Sequence, residues 1–168
     1  MEKLAMFNHA DYQKQIDYLA FKVLNSEHQV FAFSSIKANE GKTTTTLHTA
    51  HALKKLHRKV CVVHADMKES LEENNRETIG SYLEGKSELD KVIQKNEVFE
   101  VDELVSSTSN KSSTLISSKA FDSLLLSLKE KYDIVLIDCG SLTDSVNPMI
   151  IAKKADVLVL VVAEDVVS

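Results

Sequence analysis

Apolar positions recur along this chain in two rhythms, and their alternation predicts the fold class. Between residues 10 and 25, Tyr12, Ile16, Leu19, Ala20, Val23 and Leu24 fall at helical spacing, which predicts an amphipathic helix. Gln29 to Ser34 is a short apolar run and reads as a strand. Gly41 follows, then a helical stretch from Lys42 to about Leu56 and a valine-rich strand from Lys59 to His64. Residues 68–77 are polar and read as a surface loop, with its acidic run a solvated face. Short helices are predicted at 78–84 and 87–94, and Val98 to Val105 alternates in the manner of a strand. The serine- and threonine-rich stretch from Ser106 to Ser118 marks a loop. Ser118 to Tyr132 places Phe121, Leu124, Leu125 and Leu128 on one helical face. Asp133 to Asp138 and Asp156 to Ala163 read as buried strands, separated by a helix near 144–154.

Strands that are continuous apolar runs and alternate with helices predict an α/β fold. Its sheet is parallel with helices on both faces, a Rossmann-like three-layer arrangement. Sheets of this kind bind ligands outside the carboxyl ends of their strands. The chemistry is therefore expected just after Ser34, His64 and Asp138.

Composition narrows the class. The 168 residues suit a single domain spanning 1–168, with no repeat and no linker. A net charge of -5 argues against a general attraction to nucleic acid or anionic lipid. The longest apolar run, Val157 to Ala163, is too short to cross a bilayer, and the N-terminus lacks the form of a secretory signal. Cys61 and Cys139 sit within or beside apolar runs, as buried thiols of a reducing compartment do. The expectation is a cytoplasmic protein whose membrane contact, where it has any, comes through a partner.

Ser35-Ile36-Lys37-Ala38-Asn39-Glu40-Gly41-Lys42-Thr43 joins the first strand to the first long helix after it. The Gly-Lys-Thr triplet matches the end of a phosphate-binding P-loop, although Ile36 stands where the pattern has its first glycine. The physics suits a nucleotide. Unpaired N–H groups and the helix dipole face the loop. Lys42 would reach the β- and γ-phosphates, and the Thr43 hydroxyl would hold Mg²⁺. The bland alternative is a strand–turn–helix with an exposed lysine. Asp138 and Asp66, each at the end of an apolar strand, are candidate metal carboxylates; a cap for the following segment is the alternative for Asp138. His48 and His51 share a helix face, but nothing nearby completes a metal site.

Three segments in order carry a resemblance: Asn39-Glu40-Gly41-Lys42-Thr43, then Val63-His64-Ala65-Asp66-Met67-Lys68, then Leu136-Ile137-Asp138. Together with Ser117 to Phe121, Tyr132 to Asp138 and Ile151 to Asp156, they resemble the bacterial tyrosine kinases of capsular and exopolysaccharide synthesis. The match runs from about residue 28 onward. That family lies within the deviant P-loop class that also holds division-site and plasmid-partition ATPases. The resemblance implies ATP or ADP with Mg²⁺ as cofactor. It also implies a nucleotide site of Lys37, Asn39, Glu40, Gly41, Lys42, Thr43 and Thr44, a metal held by Thr43, Asp66 and Asp138, and catalysis by Lys42, Asp66 and His64. It implies as well a membrane-embedded polysaccharide chain-length regulator as partner and activator, self-assembly, and no nucleic acid. In the partition ATPases a lysine at the Lys37 position reaches a partner's nucleotide; a solvated loop lysine is the other reading.

The departures bear on activity. His64 replaces the first aspartate of the second motif, which in the family works beside the metal. A neutral imidazole supplies no negative charge to Mg²⁺ and a protonated one repels it, though an imidazole can act as a general base. Lys68 replaces an arginine and loses its bidentate reach, and Cys139-Gly140-Ser141 replaces Thr-Pro-Pro. Asn39 replaces a glycine and tolerates a positive φ better than most residues. The family continues after the Asp156–Ala163 strand into further elements and a tyrosine-rich tail; the expectation here is a C-terminally short member without tail autophosphorylation. The N-terminal helix only weakly matches the family's oligomerisation segment and is expected to cover the core. Three functions follow: a nucleotide-binding regulator of polysaccharide synthesis or export with impaired phosphoryl transfer, an active tyrosine kinase, or a partition-type ATPase.

Overall fold

A strand covered on both faces must be apolar at successive positions, and three segments of this chain meet that demand. The computed structural model describes residues 9–67, 77–106 and 111–163. In chain order its elements are α1 (His9–Leu24), β1 (Val30–Ser35), α2 (Lys42–Lys55), β2 (Val60–His64), α3 (Ile79–Leu83), α4 (Leu89–Val92), β3 (Ile93–Asn96), β4 (Val101–Leu104), α5 (Ser112–Ser117), α6 (Lys119–Lys131), β5 (Ile134–Ser141), α7 (Asn147–Lys154) and β6 (Val157–Val161). The six strands form one sheet in the order β3-β4-β2-β5-β1-β6. All pairings are parallel except β3 with β4.

Alternate residues of the central strands feed two cores, as the period of two requires. Val30, Ala32, Cys61, Val63, Val135 and Ile137 pack on one face with Phe121, Leu124 and Leu128 of α6 and Ile151 of α7. Phe31, Phe33, Val60, Val62, Ile134 and Leu136 pack on the other with Ala20 and Val23 of α1 and Ala50 and Leu53 of α2. The α/β layering expected from the sequence is therefore present, and α1 covers core as anticipated. Ser118 caps α6 by accepting the Phe121 N–H.

Several readings need correction. The 87–94 helix is only Leu89–Val92, because Ile93–Asn96 pairs antiparallel with β4, so the sheet is mixed at that edge. The strand read at Val98 to Val105 is confined to Val101–Leu104. The segment read as a loop from Ser106 to Ser118 contains the short helix α5, while 107–110 lie outside the described residues. The polar stretch at 68–76, with Lys68, also lies outside them. Asp156 to Ala163 was expected to be a buried strand. Instead β6 pairs only with β1, and Leu158 and Leu160 are 41% and 44% exposed. Leu158 and Leu160 lie on the same face of β6, and a run of apolar residues does not reveal which face is left exposed.

One side chain fixes how β6 meets β1. Asp156 Oδ2 accepts the N–H of Gln29 at 3.0 Å and of Val30 at 2.9 Å. Partial burial pushes this carboxyl up, but the Val30 and Gln29 N–H groups, then Lys129 and His28, outweigh it and hold the pKa below the ordinary value. A lowered carboxyl stabilises the fold above its unfolded pKa and loses that contribution as pH falls through the folded one. The group is exposed, so Asp156→Ala is expected to cost only about 1 kcal/mol at pH 7. In thermal melts this is a loss of roughly 2–4 °C, and the gap to the wild type should close below about pH 4.

Candidate functional site

The three central strands end together. Register pairs Phe33 of β1 with Asp138 of β5, and His64 of β2 with the same Asp138. The ends are sewn by Ala65 N–H to Asp138 O at 2.9 Å, Ser34 Oγ to Gly140 O at 2.8 Å and Leu142 N–H to Ser35 O at 2.8 Å. From Ser35 the chain enters the loop that precedes α2. Asn39 and Gly41 both take left-handed backbone, with φ of 62° and 84°. Asparagine and glycine are the residues that accept such angles at low cost. Gly41 is the N-cap of α2 and offers no side chain to the first N–H groups of the helix, and no acidic residue occupies that turn. The helix start is thus left with unsatisfied donors, as an anion site requires. Glu40 steadies the loop by accepting the Lys37 N–H at 2.7 Å, while Lys37 itself is exposed.

Side chains from these ends converge. Lys42 is 8% exposed, and its ammonium lies 3.9 Å from Asp66 Oδ2. The Thr43 hydroxyl donates to Asp138 Oδ2 at 2.6 Å. Asp66 packs against Gly140 so closely that a Cβ there would sit 3.3 Å from the carboxyl group, so the glycine of Cys139-Gly140-Ser141 is what makes room for it. Thr44 follows Thr43 in the first turn of α2. The structure therefore gathers Lys42, Thr43, Asp66 and Asp138, with His64 beside them. Cys139 is buried and its thiol is pushed up by burial, so it carries no nucleophilic character.

A divalent cation can be tested against this donor set. Asp138 is 3% exposed, and its Oδ1 is buried with no hydrogen-bond partner among the described residues. An unsatisfied buried acceptor costs about 1–3 kcal/mol. A cation bound there would offset that cost, and hydroxyl and carboxylate oxygens are what Mg²⁺ accepts. The residues fit the metal: Thr43, Asp138 and Asp66 would hold it, and it would neutralise phosphate charge.

His64 is the departure with the largest consequence. Its Nε2 lies 3.0 Å from Glu103 Oε2 and its Nδ1 lies 3.4 Å from Asp138 Oδ2, and the residue is 7% exposed. Burial alone would lower its pKa. The hydrogen bonds and charges of Asp138 and Glu103 outweigh burial and raise it to about 9. Both ring nitrogens face carboxylates, so the imidazole has no lone pair to offer an attacking hydroxyl. Glu103, on β4, was not anticipated from the sequence. Its only signal is its place in the acidic pair Asp102-Glu103 between the apolar ends of the short strand Val101–Leu104.

The histidines of α2 do other work. His51 Nδ1 meets the Phe99 carbonyl at 2.7 Å, and His48 packs edge-on against Tyr12 and Phe99. No group of three or more His, Cys, Asp or Glu side chains placed to hold a metal ion by themselves occurs among the described residues, so the cation considered above would also need the Thr43 hydroxyl.

A mostly parallel sheet whose central strand ends carry a lysine-bearing loop, a helix start and facing carboxylates has the α/β fold of the P-loop NTPases. Residues 28–167 match the model of the AAA domain family, and the chain belongs to that family. Among curated proteins, it is 30% identical over 118 residues to the septum site-determining protein MinD of Synechocystis, covering 66% of this chain and 44% of that protein. It is 25% identical over 142 residues to the tyrosine-protein kinase CpsD of Streptococcus pneumoniae, covering 80% and 63%. The chain thus spans about half to two thirds of the length of these relatives. The kinase domain of the Escherichia coli tyrosine kinase ETK superposes with a TM-score of 0.80 at 21% identity, covering 89% of this chain and 61% of that one. MinD of Pyrococcus horikoshii, solved with Mg-ADP, gives 0.65 at 25% identity, covering 79% and 57%. The capsular tyrosine-kinase resemblance and the wider MinD-like P-loop class both stand. Among the described residues no helix is long and apolar enough to cross a membrane.

Proposed function

We propose that this chain binds Mg-ATP or Mg-ADP through Lys37, Asn39, Glu40, Gly41, Lys42, Thr43 and Thr44, with the metal on Thr43, Asp66 and Asp138. Phosphoryl transfer is impaired or absent, and the protein acts as a cytoplasmic regulator of polysaccharide synthesis or export. It reaches the membrane by docking on an embedded chain-length regulator. The observation that carries the reading is the placement of His64. A side chain with both nitrogens turned to Glu103 and Asp138 stands where the family's catalytic carboxylate would be, while Lys42, Thr43 and Asp138 keep the geometry of a nucleotide site. The imidazole's charge also offsets the negative potential that a metal would use.

Calorimetric titration with Mg-ADP and Mg-ATP is expected to show binding in the micromolar range that weakens when EDTA removes the metal. A co-expressed tyrosine substrate should gain no phosphate. No binding at millimolar nucleotide would remove the nucleotide reading. Phosphotyrosine that disappears in Lys42→Met would establish an active kinase instead. A division-site type of ATPase is the second reading, favoured by the 30% identity to MinD and by the exposed Lys37. Its mark would be nucleotide-dependent dimers that Lys37→Ala abolishes.

A further inference from the structure

Glu103 belongs to no nucleotide-binding motif, yet it is 7% exposed and lies two strands away from the candidate metal carboxylate, with β2 between them. Burying a carboxylate is costly unless it is hydrogen-bonded or paired. Here the partners form a chain of contacts. Asn96 of β3 donates its side-chain N–H to Glu103 Oε2 at 3.0 Å, and the same oxygen meets His64 Nε2 at 3.0 Å. His64 Nδ1 faces Asp138 Oδ2 at 3.4 Å, and that oxygen accepts the Thr43 hydroxyl at 2.6 Å. The contacts run from the antiparallel edge of the sheet, through β4, β2 and β5, to the first turn of α2. They occupy one oxygen of Asp138, while Oδ1 has no partner among the described residues.

We propose that Glu103 is a positioning residue for the metal-binding aspartate: it anchors His64, and His64 with Thr43 fixes Asp138 Oδ2 so that Oδ1 is presented to a divalent cation. The functional half of this inference rests on the nucleotide and metal reading above; the contacts themselves belong to the metal-free chain. The register explains why Glu103 can serve. Val62 pairs with Glu103 and His64 with Asp138, so the strands on either side of β2 bring one carboxylate each towards residue 64, and an imidazole there meets both, one at each ring nitrogen. An aspartate at residue 64 is too short to do this and would repel both. The histidine is in this view the central member of a positioning set, with the side chain at 103 as its outer anchor.

Two variants separate positioning from packing. Glu103→Leu keeps bulk but removes the acceptor. Glu103→Gln keeps an acceptor at the same place. Partners that orient a metal ligand typically cost about 10–100-fold in metal affinity when lost. Mn²⁺ affinity in the presence of ADP, read by the electron paramagnetic resonance of free Mn²⁺, should fall about tenfold or more in Glu103→Leu and stay within about threefold in Glu103→Gln. A residue that only filled space would give the opposite order or no difference. The second measurement needs no ligand. Carbon-13 and nitrogen-15 spectra of the metal-free protein should show the Asp138 carboxyl, the Thr43 signals and the His64 ring displaced in Glu103→Leu and close to wild type in Glu103→Gln. Unmoved Asp138 and Thr43 signals in a folded Glu103→Leu protein would overturn the proposal. Wild-type protein that binds no Mn²⁺ with ADP would instead overturn the metal reading, and the spectra alone would then decide whether Glu103 positions Asp138.

Discussion

Replacing Lys42 with alanine is expected to weaken Mg-ADP and Mg-ATP binding by at least about a hundredfold, roughly 3 kcal/mol. The charge inventory explains the size. Asp66, Asp138 and Glu103 bring three carboxylates to the strand ends, and the cations gathered with them are the Lys42 ammonium and the His64 imidazole. His64 faces Glu103 and Asp138, so Lys42 is the cation left for a phosphate. Without it a nucleotide anion would enter strand ends of net negative charge, with the helix N–H groups, the exposed Lys37 and the metal in its favour. The fold should tolerate the change. Lys42 opens α2, where alanine is the better helix former, and the Asp66 side chain keeps 21% of its surface in water. Melting temperature should therefore shift by no more than a few degrees while calorimetry loses its signal. A variant that is folded and binds Mg-ADP as the wild type does would show that the loop is a turn with an incidental lysine.

The fold was legible where burial is two-sided. Val60–Val63 and Ile134–Ile137 are apolar at successive positions because each face meets a helix layer, and the strands β1, β2 and β5 emerge from such runs. The same logic misread β6. Val157–Val161 is as apolar as its neighbours, but half of it is exposed at a sheet edge, and a run of valine and leucine carries no mark of which layer is missing. β3 was invisible for the opposite reason. Gln94, Lys95 and Asn96 have no strand signal of their own, and they are extended because β4 offers them hydrogen-bonding partners.

The site divides in the same way. Gly41, Lys42, Thr43, Asp66 and Asp138 follow apolar strands or open a helix, so local sequence announces them, and the left-handed angle at Asn39 agrees with the residue chosen. Glu103 is announced locally only as one of the two acidic residues of Val101–Leu104, which does not tell it from Asp102. Only the pairing of β2 with β4 brings it to His64, and pairing partners lie some forty residues apart in the chain. His64 therefore reads as a lost carboxylate in the sequence and as half of a buried ion pair in the structure. Loss and replacement differ by one neighbour that sequence order does not supply.

That neighbour dictates what happens when the family's carboxylate is written back. His64→Asp is expected to destabilise the metal-free protein by about 3–5 kcal/mol at pH 7–8, the usual cost of buried charge without its partner. For a chain of this size the loss corresponds to roughly 6–20 °C in melting temperature. The wild-type imidazole, raised to about 9 from its ordinary value, contributes stability that is full below pH 6.5 and lost as pH rises through about 9. The variant places an aspartate between Asp138 and Glu103, and three neighbouring carboxylates raise one another. Their repulsion grows as pH rises above about 4, where carboxyl groups ordinarily ionise. The gap in melting temperature between variant and wild type should thus open above pH 4 and narrow through pH 9, as the wild type loses its own ion pair. Millimolar Mg²⁺ should raise the melting temperature of the variant more than that of the wild type, since a divalent cation then supplies the missing charge. His64→Asp combined with Glu103→Gln should recover most of the loss by removing one carboxylate from the cluster. Equal melting temperatures for His64→Asp and wild type at pH 7 without metal would mean that the imidazole and the two carboxylates do not share their charge. Restored phosphotyrosine formation in the double variant alone would show that residues 64 and 103 have to change together before this site can transfer a phosphoryl group.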